Sequence, residues 1–249
     1  MKNGASVVHL EQPVVNENSV AKIKKWSLRL SKVLLIIGVS LAALYFVVHL
    51  IWRFSGSNQW EFVEEKNGVK LYTLKAPGLD SIQVRAVVQI RSKLSSIVAF
   101  MQDYSSCTPL GCTEPKQVER VDDQLQYYSF RYASPFPFQE REFVIRSQFY
   151  QNPHTKEVLM SIDAAPDKVP PNNCCFRVTD INNRWRFTPL ENGLVEIEAT
   201  QKMNIGGFVP DLLLNMRRPQ SLARVLMRLE GFVNEKKYRD AMIDYIKEK

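Results

Sequence analysis

Twenty consecutive residues without an acidic or basic side chain other than one histidine, VLLIIGVSLAALYFVVHLIW from Val33 to Trp52, limit what this chain can fold into more than any other feature. At helical rise they cover about 30 Å, the thickness of a bilayer's hydrocarbon core. Lys32 and Arg53 close the run, and His49 sits near one end, where Tyr45 and Trp52 suit an interfacial aromatic belt. A buried helix of a soluble protein seldom stays uncharged for so long. A cleaved signal peptide has a shorter apolar region and a small-residue cleavage site; no A-x-A pattern follows here, and Ser55 and Ser57 make a poor one. The run is therefore read as an uncleaved anchor over residues 33–53.

The flanks give it a direction. Lys22, Lys24, Lys25, Arg29 and Lys32 precede the run, whereas Glu61, Glu64 and Glu65 follow soon after Arg53. The positive-inside rule places the N-terminal tail, residues 1–32, in the cytoplasm and the C-terminal bulk outside it, in the periplasm if the envelope is Gram-negative. The same residues account for most of the formal charge of +7: the first 32 residues carry a net +4 and Arg53 one more, leaving +2 over residues 54–249. The soluble part is nearly neutral, so the basic pI is a topology signal and no nucleic-acid partner is expected.

Four cysteines, Cys107, Cys112, Cys174 and Cys175, fall on the expected outer side, where disulfides persist. Four cysteines allow three connectivities. A 174–175 bond closes a strained vicinal ring, which favours pairing between the two clusters or within 107–112. No C-x-x-C is present and His154 is the only histidine after the anchor, which speaks against a zinc site. No metal or cofactor is expected.

Residues 54–59 form a short linker, 60–238 a single domain and 239–249 a C-terminal tail. Within the domain, Val69–Leu74 lies between the turn signals Asn67-Gly68 and Pro77-Gly78. Ile82, Val84, Ala86, Val88 and Ile90 alternate with polar residues, a half-buried strand. Leu94, Ile97, Val98 and Met101 then recur at helical spacing over 93–103. Further strands are expected over 116–121, 124–133, 142–150, 157–163, 176–190 (with a bend at Asn182-Asn183) and 194–203, joined mostly by short turns. Leu222, Val225, Leu226, Leu229, Phe232 and Val233 make the apolar stripe of a long last helix, led by Pro210 and Asp211 and expected to kink or break at Pro219. The fold class is α+β: one curved antiparallel sheet closed by a long C-terminal helix, preceded by one transmembrane helix.

Several stretches, in order and spacing, resemble the StAR-related lipid-transfer (START) domains of the helix-grip fold, here in a membrane-anchored form. Residues 67–72, NGVKLY, resemble the family's opening strand. Residues 134–143, SPFPFQEREF, resemble its P…P…RDF segment. Trp185, Pro189 and Gly193 match a W…P…G spacing, and Gly206, Gly207, Pro210, Asn215 and Pro219 resemble the GG-x-(I/V/L)-P…N…P lead into the last helix. The resemblance implies a sheet wrapped round that helix, a tunnel for one lipid or sterol, and a covering loop at Pro135–Phe138. It also implies departures. Glu142 stands where the family usually has Asp. Ser147 stands where sterol-binding members carry an arginine, with Tyr128 near the place of its acid partner. A tunnel without that buried ion pair follows, and the resemblance does not name the ligand.

Alternation supplies the inward faces: Phe143, Ile145, Ser147 and Phe149; Tyr128, Phe130 and Tyr132; Val158, Met160 and Ile162; Val195, Ile197 and Ala199. Such stripes ordinarily make a packed core; the resemblance turns them into tunnel walls, with the tyrosine hydroxyls and Ser147 as polar handles. Phe136 and Phe138 on the covering loop, and Phe208, Leu212 and Met216 at the start of the last helix, complete the expected ligand-binding set. Glu140 and Glu142 face away from Phe143, so a carboxylate pair for catalysis is not favoured, and Arg141 is expected to pair locally and pin the base of the loop. With one histidine, in a turn, no Ser-His-Asp arrangement can be built. The chain is expected to be no enzyme but to bind a lipid or sterol-like hydrophobic ligand for transfer or sensing at a membrane, with a lipid-accepting protein as partner. The alternatives are a helix-grip enzyme of the cyclase type and a ligand-free interaction scaffold.

Overall fold

The computed structural model describes residues 17–134, 136, 138–207 and 211–249. It separates into two compact units, residues 1–52 and 53–249. The first is occupied by helix α1, Glu17–Phe54, which continues two residues past the unit boundary. Its stretch Lys24–Phe54 is long and apolar enough to cross a membrane. Leu34, Leu35, Ile36, Leu41, Phe46 and Ile51 are all exposed. A helix that is apolar all round and buried by nothing has the surface of a membrane span.

The second unit is an α+β domain. Its sheet contains β1 (Trp60–Lys66), β2 (Val69–Leu74), β3 (Gln83–Arg91), β4 (Cys112–Arg120), β5 (Leu125–Tyr132), β6 (Arg141–Gln151), β7 (Val158–Ala164), β8 (Phe176–Val178), β9 (Asp180–Pro189) and β10 (Leu194–Asn204). The order across it is β1-β2-β3-β10-β9-β7-β6-β5-β4, antiparallel throughout, with β8 alone running parallel beside the start of β6. β1 and β4 are the outer strands, and both slip register: β1 between Phe62 and Glu64, β4 between Thr113 and Lys116 and again between Gln117 and Glu119.

Three corrections to the expected elements have physical causes. The run 176–190 breaks at Thr179 rather than bending at Asn182-Asn183. Those two asparagines lie inside β9, paired with Lys202 and Gln201 of β10, so sheet pairing overrides their turn preference. The last helix, α3 (Asp211–Val233), runs on through Pro219. One turn before that proline, the Asn215 side chain accepts from the Ile82 amide at 3.1 Å and donates to the Asp80 carbonyl at 2.9 Å, fastening α3 to the start of β3. The segment 239–249 is not a loose tail. Ile246 is buried, and the Glu248 carboxylate accepts from the Leu94 and Ser95 amides, capping helix α2 (Leu94–Gln102).

Helix α3 buries Leu222, Leu226, Leu229 and Val233, one face at helical spacing, and packs closely on β2, β3 and α2. Phe100 of α2 stacks on Phe232 with ring centres 5.7 Å apart. The two disulfides are Cys107–Cys112 and Cys174–Cys175. The first is one of the pairings expected, whereas the second is the vicinal bond that ring strain argued against.

Candidate ligand cavity

Between α3 and the inner face of β5–β10 lies a cavity of about 630 Å³. Pockets that hold one drug-sized molecule run from about 300 to 1,000 Å³. Aromatic rings make one wall. Phe130 stacks on Phe143 with centres 5.1 Å apart, and Tyr132 meets both edge-on. Ile145, Met160, Ile162, Ile181 and Met203 continue the apolar surface. The opposite wall is α3, through Ser221, Leu222, Arg224, Val225 and Arg228, together with the 3-10 turn Tyr104–Leu110, which the Cys107–Cys112 bond closes.

Of the residues expected from sequence, Tyr128, Phe130, Tyr132, Phe143, Ile145, Met160 and Ile162 line this cavity. Ser147, Phe149 and Ile197 point to the same side of the sheet but are fully buried in the packed core around it. Phe136 and Phe138 do not reach it, and Phe136 is 96% exposed. Met216 is 65% exposed, because the buried face of α3 runs through Asn215 and Leu222 instead. Phe208 lies outside the described residues, and so does the side chain of Leu212.

The Tyr128 hydroxyl and Ser147 are neighbours. Burial pushes the Tyr128 phenol up to about 12, against the opposing effect of Ser147. The Ser147 hydroxyl is 0% exposed and closes no hydrogen bond of good geometry. These are the two positions at which sequence comparison pointed to a missing ion pair, and neither carries a charge at neutral pH.

The charged residues on the lining are Asp103, at the end of α2, and Arg224 and Arg228 on α3. Burial alone would raise the Asp103 pKa, but hydrogen bonds from Lys237, Ser105 and Tyr238 outweigh it and hold the carboxyl at about 2. The two arginines stand one turn apart on α3. Arg224 donates to Ser221 at 3.2 Å and Arg228 to the Pro109 carbonyl at 3.5 Å; among the described residues neither has a carboxylate partner.

Arg141 does not pair with the glutamates beside it. It is 3% exposed and donates to three main-chain carbonyls: Gln139, Ile205 at 3.2 Å and Gly206 at 3.0 Å. Glu142 turns to the outer face, where it meets Arg177 of β8 at 2.7 Å. Arg177 also donates to the carbonyls of Pro166, Val169 and Pro170, so the pair organises the loop behind β7.

Sequence reasoning missed Asn183 and Gln201, which line the cavity from β9 and β10. Extending the inward alternation Val195, Ile197, Ala199 by one step reaches Gln201, and the pairing of strands brings Asn183 opposite it.

An antiparallel sheet gripping a C-terminal helix over an apolar cavity is the helix-grip architecture, and this domain has the fold of the START domains. A STAR-related lipid transfer protein from Xanthomonas axonopodis superimposes with a TM-score of 0.65 at 17% identity, over 71% of this chain and 99% of that one. Human STARD10 gives 0.64 at 10% identity, over 74% and 76%. Human StAR-related lipid transfer protein 5 gives 0.60 at 14% identity, over 80% and 97%. By sequence, an uncharacterized protein of Pseudomonas aeruginosa is 24% identical over 161 residues, 64% of this chain and 79% of that protein. No family model matches the chain.

Proposed function

We propose that the domain holds one molecule of a lipid or other hydrophobic compound in the cavity and presents it at the surface of the membrane in which α1 is anchored. The observation that carries this reading is the cavity itself: about 630 Å³ walled by Phe130, Phe143, Ile145, Met160 and Ile162 on a domain of START fold. Filling such a volume with side chains would be the stable choice for a protein with nothing to bind, since voids forfeit packing.

No bond is made or broken in this scheme. The one carboxylate on the lining, Asp103, is committed to Lys237, Ser105 and Tyr238. The N-terminus stays in the cytoplasm and the domain stands outside it, periplasmic in a Gram-negative cell. Ser55–Gln59, between α1 and β1, reach less than about 20 Å, which keeps the domain at its own membrane. The loop at Phe136 and the start of α3 part at the bilayer, a ligand enters, and a protein partner receives it. The nearly complete exposure of Phe136 supports contact of that loop with lipid.

The test is to purify the full chain from membranes and identify by native mass spectrometry what it carries, beside an Ile162→Trp variant. We expect a copurifying hydrophobic compound in the wild type and its loss, at unchanged melting temperature or higher, in the variant. Equal lipid content in both would refute the reading.

A further inference from the structure

Strand register places one row of residues across the concave face of the sheet. Gln126 pairs with Ser147, Ser147 with Ile162, Ile162 with Asn183, Asn183 with Gln201 and Gln201 with Val84. Four of these six are polar. The neighbouring rows are not: Phe149, Met160, Trp185, Ala199 and Ala86 on one side, and Tyr128, Ile145, Ala164, with Ile181 and Met203, on the other. Two polar members of this row, Asn183 and Gln201, lie on the cavity lining, beside Ile162 and among the apolar residues of the sheet.

Two members of the row have a structural use. Gln126 donates to the Gln102 carbonyl at 2.9 Å, and the Asn183 side-chain oxygen accepts from the Lys202 amide at 3.2 Å. Among the described residues Asn183 Nδ2, the Gln201 amide and the Ser147 hydroxyl make no hydrogen bond; Ser147 is sealed in the core, whereas Asn183, 7% exposed, and the half-buried Gln201 line the cavity. Directly opposed residues on adjacent strands hold their Cβ atoms about 5 Å apart, close enough for both amides to reach one atom between them. Both amides face the cavity, so their free hydrogen-bonding capacity is available to whatever the cavity holds, water or ligand.

We infer that Asn183 and Gln201 form a recognition site for an uncharged oxygen, a carbonyl, ester or hydroxyl, set within an otherwise apolar ligand. This rests on the ligand-binding reading above and specifies its chemistry. A charged group is disfavoured at this point because the row holds no ionisable residue, and the charges on the lining stand on α2's end and on α3 rather than on the sheet. Asn183 Nδ2 donates to the oxygen, and Gln201, which has both a donor and an acceptor, completes either a carbonyl or a hydroxyl.

The experiment loads the full chain, reconstituted in nanodiscs, with three probes of equal chain length: a linear hydrocarbon, the corresponding mid-chain ketone and the mid-chain alcohol. Bound probe is counted by native mass spectrometry for wild type, Gln201→Leu and Asn183→Leu. We expect wild type to retain ketone and alcohol over hydrocarbon by about tenfold or more, and each variant to lose most of that preference while still taking up hydrocarbon. Gln201→Leu breaks no hydrogen bond among the described residues, so it answers the question even if Asn183→Leu fails to fold. Equal retention of all three probes by wild type, or an undiminished preference in Gln201→Leu, overturns the assignment and means that water satisfies the amides. Uptake of no probe at all by wild type overturns the ligand-binding reading itself.

Discussion

Arg141 Nη2 donates to the carbonyl of Gly206 at 3.0 Å, so the first residue of β6 holds the segment that leads into α3. The same guanidinium takes the carbonyls of Ile205 and Gln139. One buried cation therefore joins the loop before β6 to the approach of the helix that roofs the cavity. Replacing it by alanine strands three carbonyls. We expect Arg141→Ala to destabilise the domain by about 3 kcal/mol, read as a fall of roughly 6–12 °C in melting temperature. Arg141→Lys should recover only part, because an ammonium cannot keep the fork geometry. An alanine variant within 1 °C of wild type would show that the carbonyls find other donors.

The two glycines beside it are steric necessities. Gly206 has φ +61°, and a Cβ there would stand 2.3 Å from the Phe176 ring; at Gly207, φ +75°, it would stand 2.8 Å from Arg141 Nη2. We expect Gly206→Ala to cost more than about 2 kcal/mol by denaturant titration. Adding Phe176→Leu should return the part due to the clash and leave the part due to backbone conformation. A double variant no better than the single would place the whole cost in the backbone.

Asp103 links the end of α2 to the C-terminal segment through Lys237 and Tyr238. Its folded pKa, about 2, lies below the ordinary 3.8, so the folded form binds a proton less readily than the unfolded chain. The associated stability is present above pH 4 and is lost as pH falls from about 4 to about 2. Lys237 is largely exposed, so solvent screening holds the contribution to about 1 kcal/mol. Asp103→Asn should lower stability at pH 7 by that amount and flatten the acid limb between pH 4 and 2. Parallel acid limbs in the two proteins would contradict the linkage.

Tyr128 works in the other direction. Burial holds its phenol at about 12 instead of 10.0, so above pH 10 the unfolded chain ionises and the folded one does not. Stability from the neutral phenol is complete below pH 10 and declines as pH rises toward 12. Absorbance at 295 nm should show that Tyr128→Phe removes a phenol titrating in this late range. Loss of a phenol titrating near 10 instead would mean that water reaches the Tyr128 hydroxyl.

Much of the domain could be read from its residues because burial and periodicity agree there. Val84, Ala86, Val88 and Ile90 alternate and are all buried in β3. Leu222, Leu226 and Leu229 mark the covered face of α3. Where local preference and tertiary pairing conflict, the chain misleads. Trp60–Lys66 carries three glutamates and a register slip, which hides an outer strand. Asn182-Asn183 has the composition of a turn, yet it continues β9 because β10 supplies a full ladder. The aromatic wall was legible as an inward stripe, whereas the amide pair was not, since no single strand contains both of its halves. Phe136 and Met216 were drawn into the expected site by motif position, but exposure is set by which way the loop and helix face.

The slipped outer strands bear on how two copies of the domain meet. Exposed sheet edges are templates for pairing between molecules. β1 offers Glu61, Glu64 and Glu65 and a kinked backbone; β4 offers Glu114, Lys116, Glu119 and Arg120 and two irregularities. Neither presents the long flat ladder that self-association requires. Growth of the sheet from one molecule into the next is thus blocked at both ends by the sequence and backbone of the outermost strands.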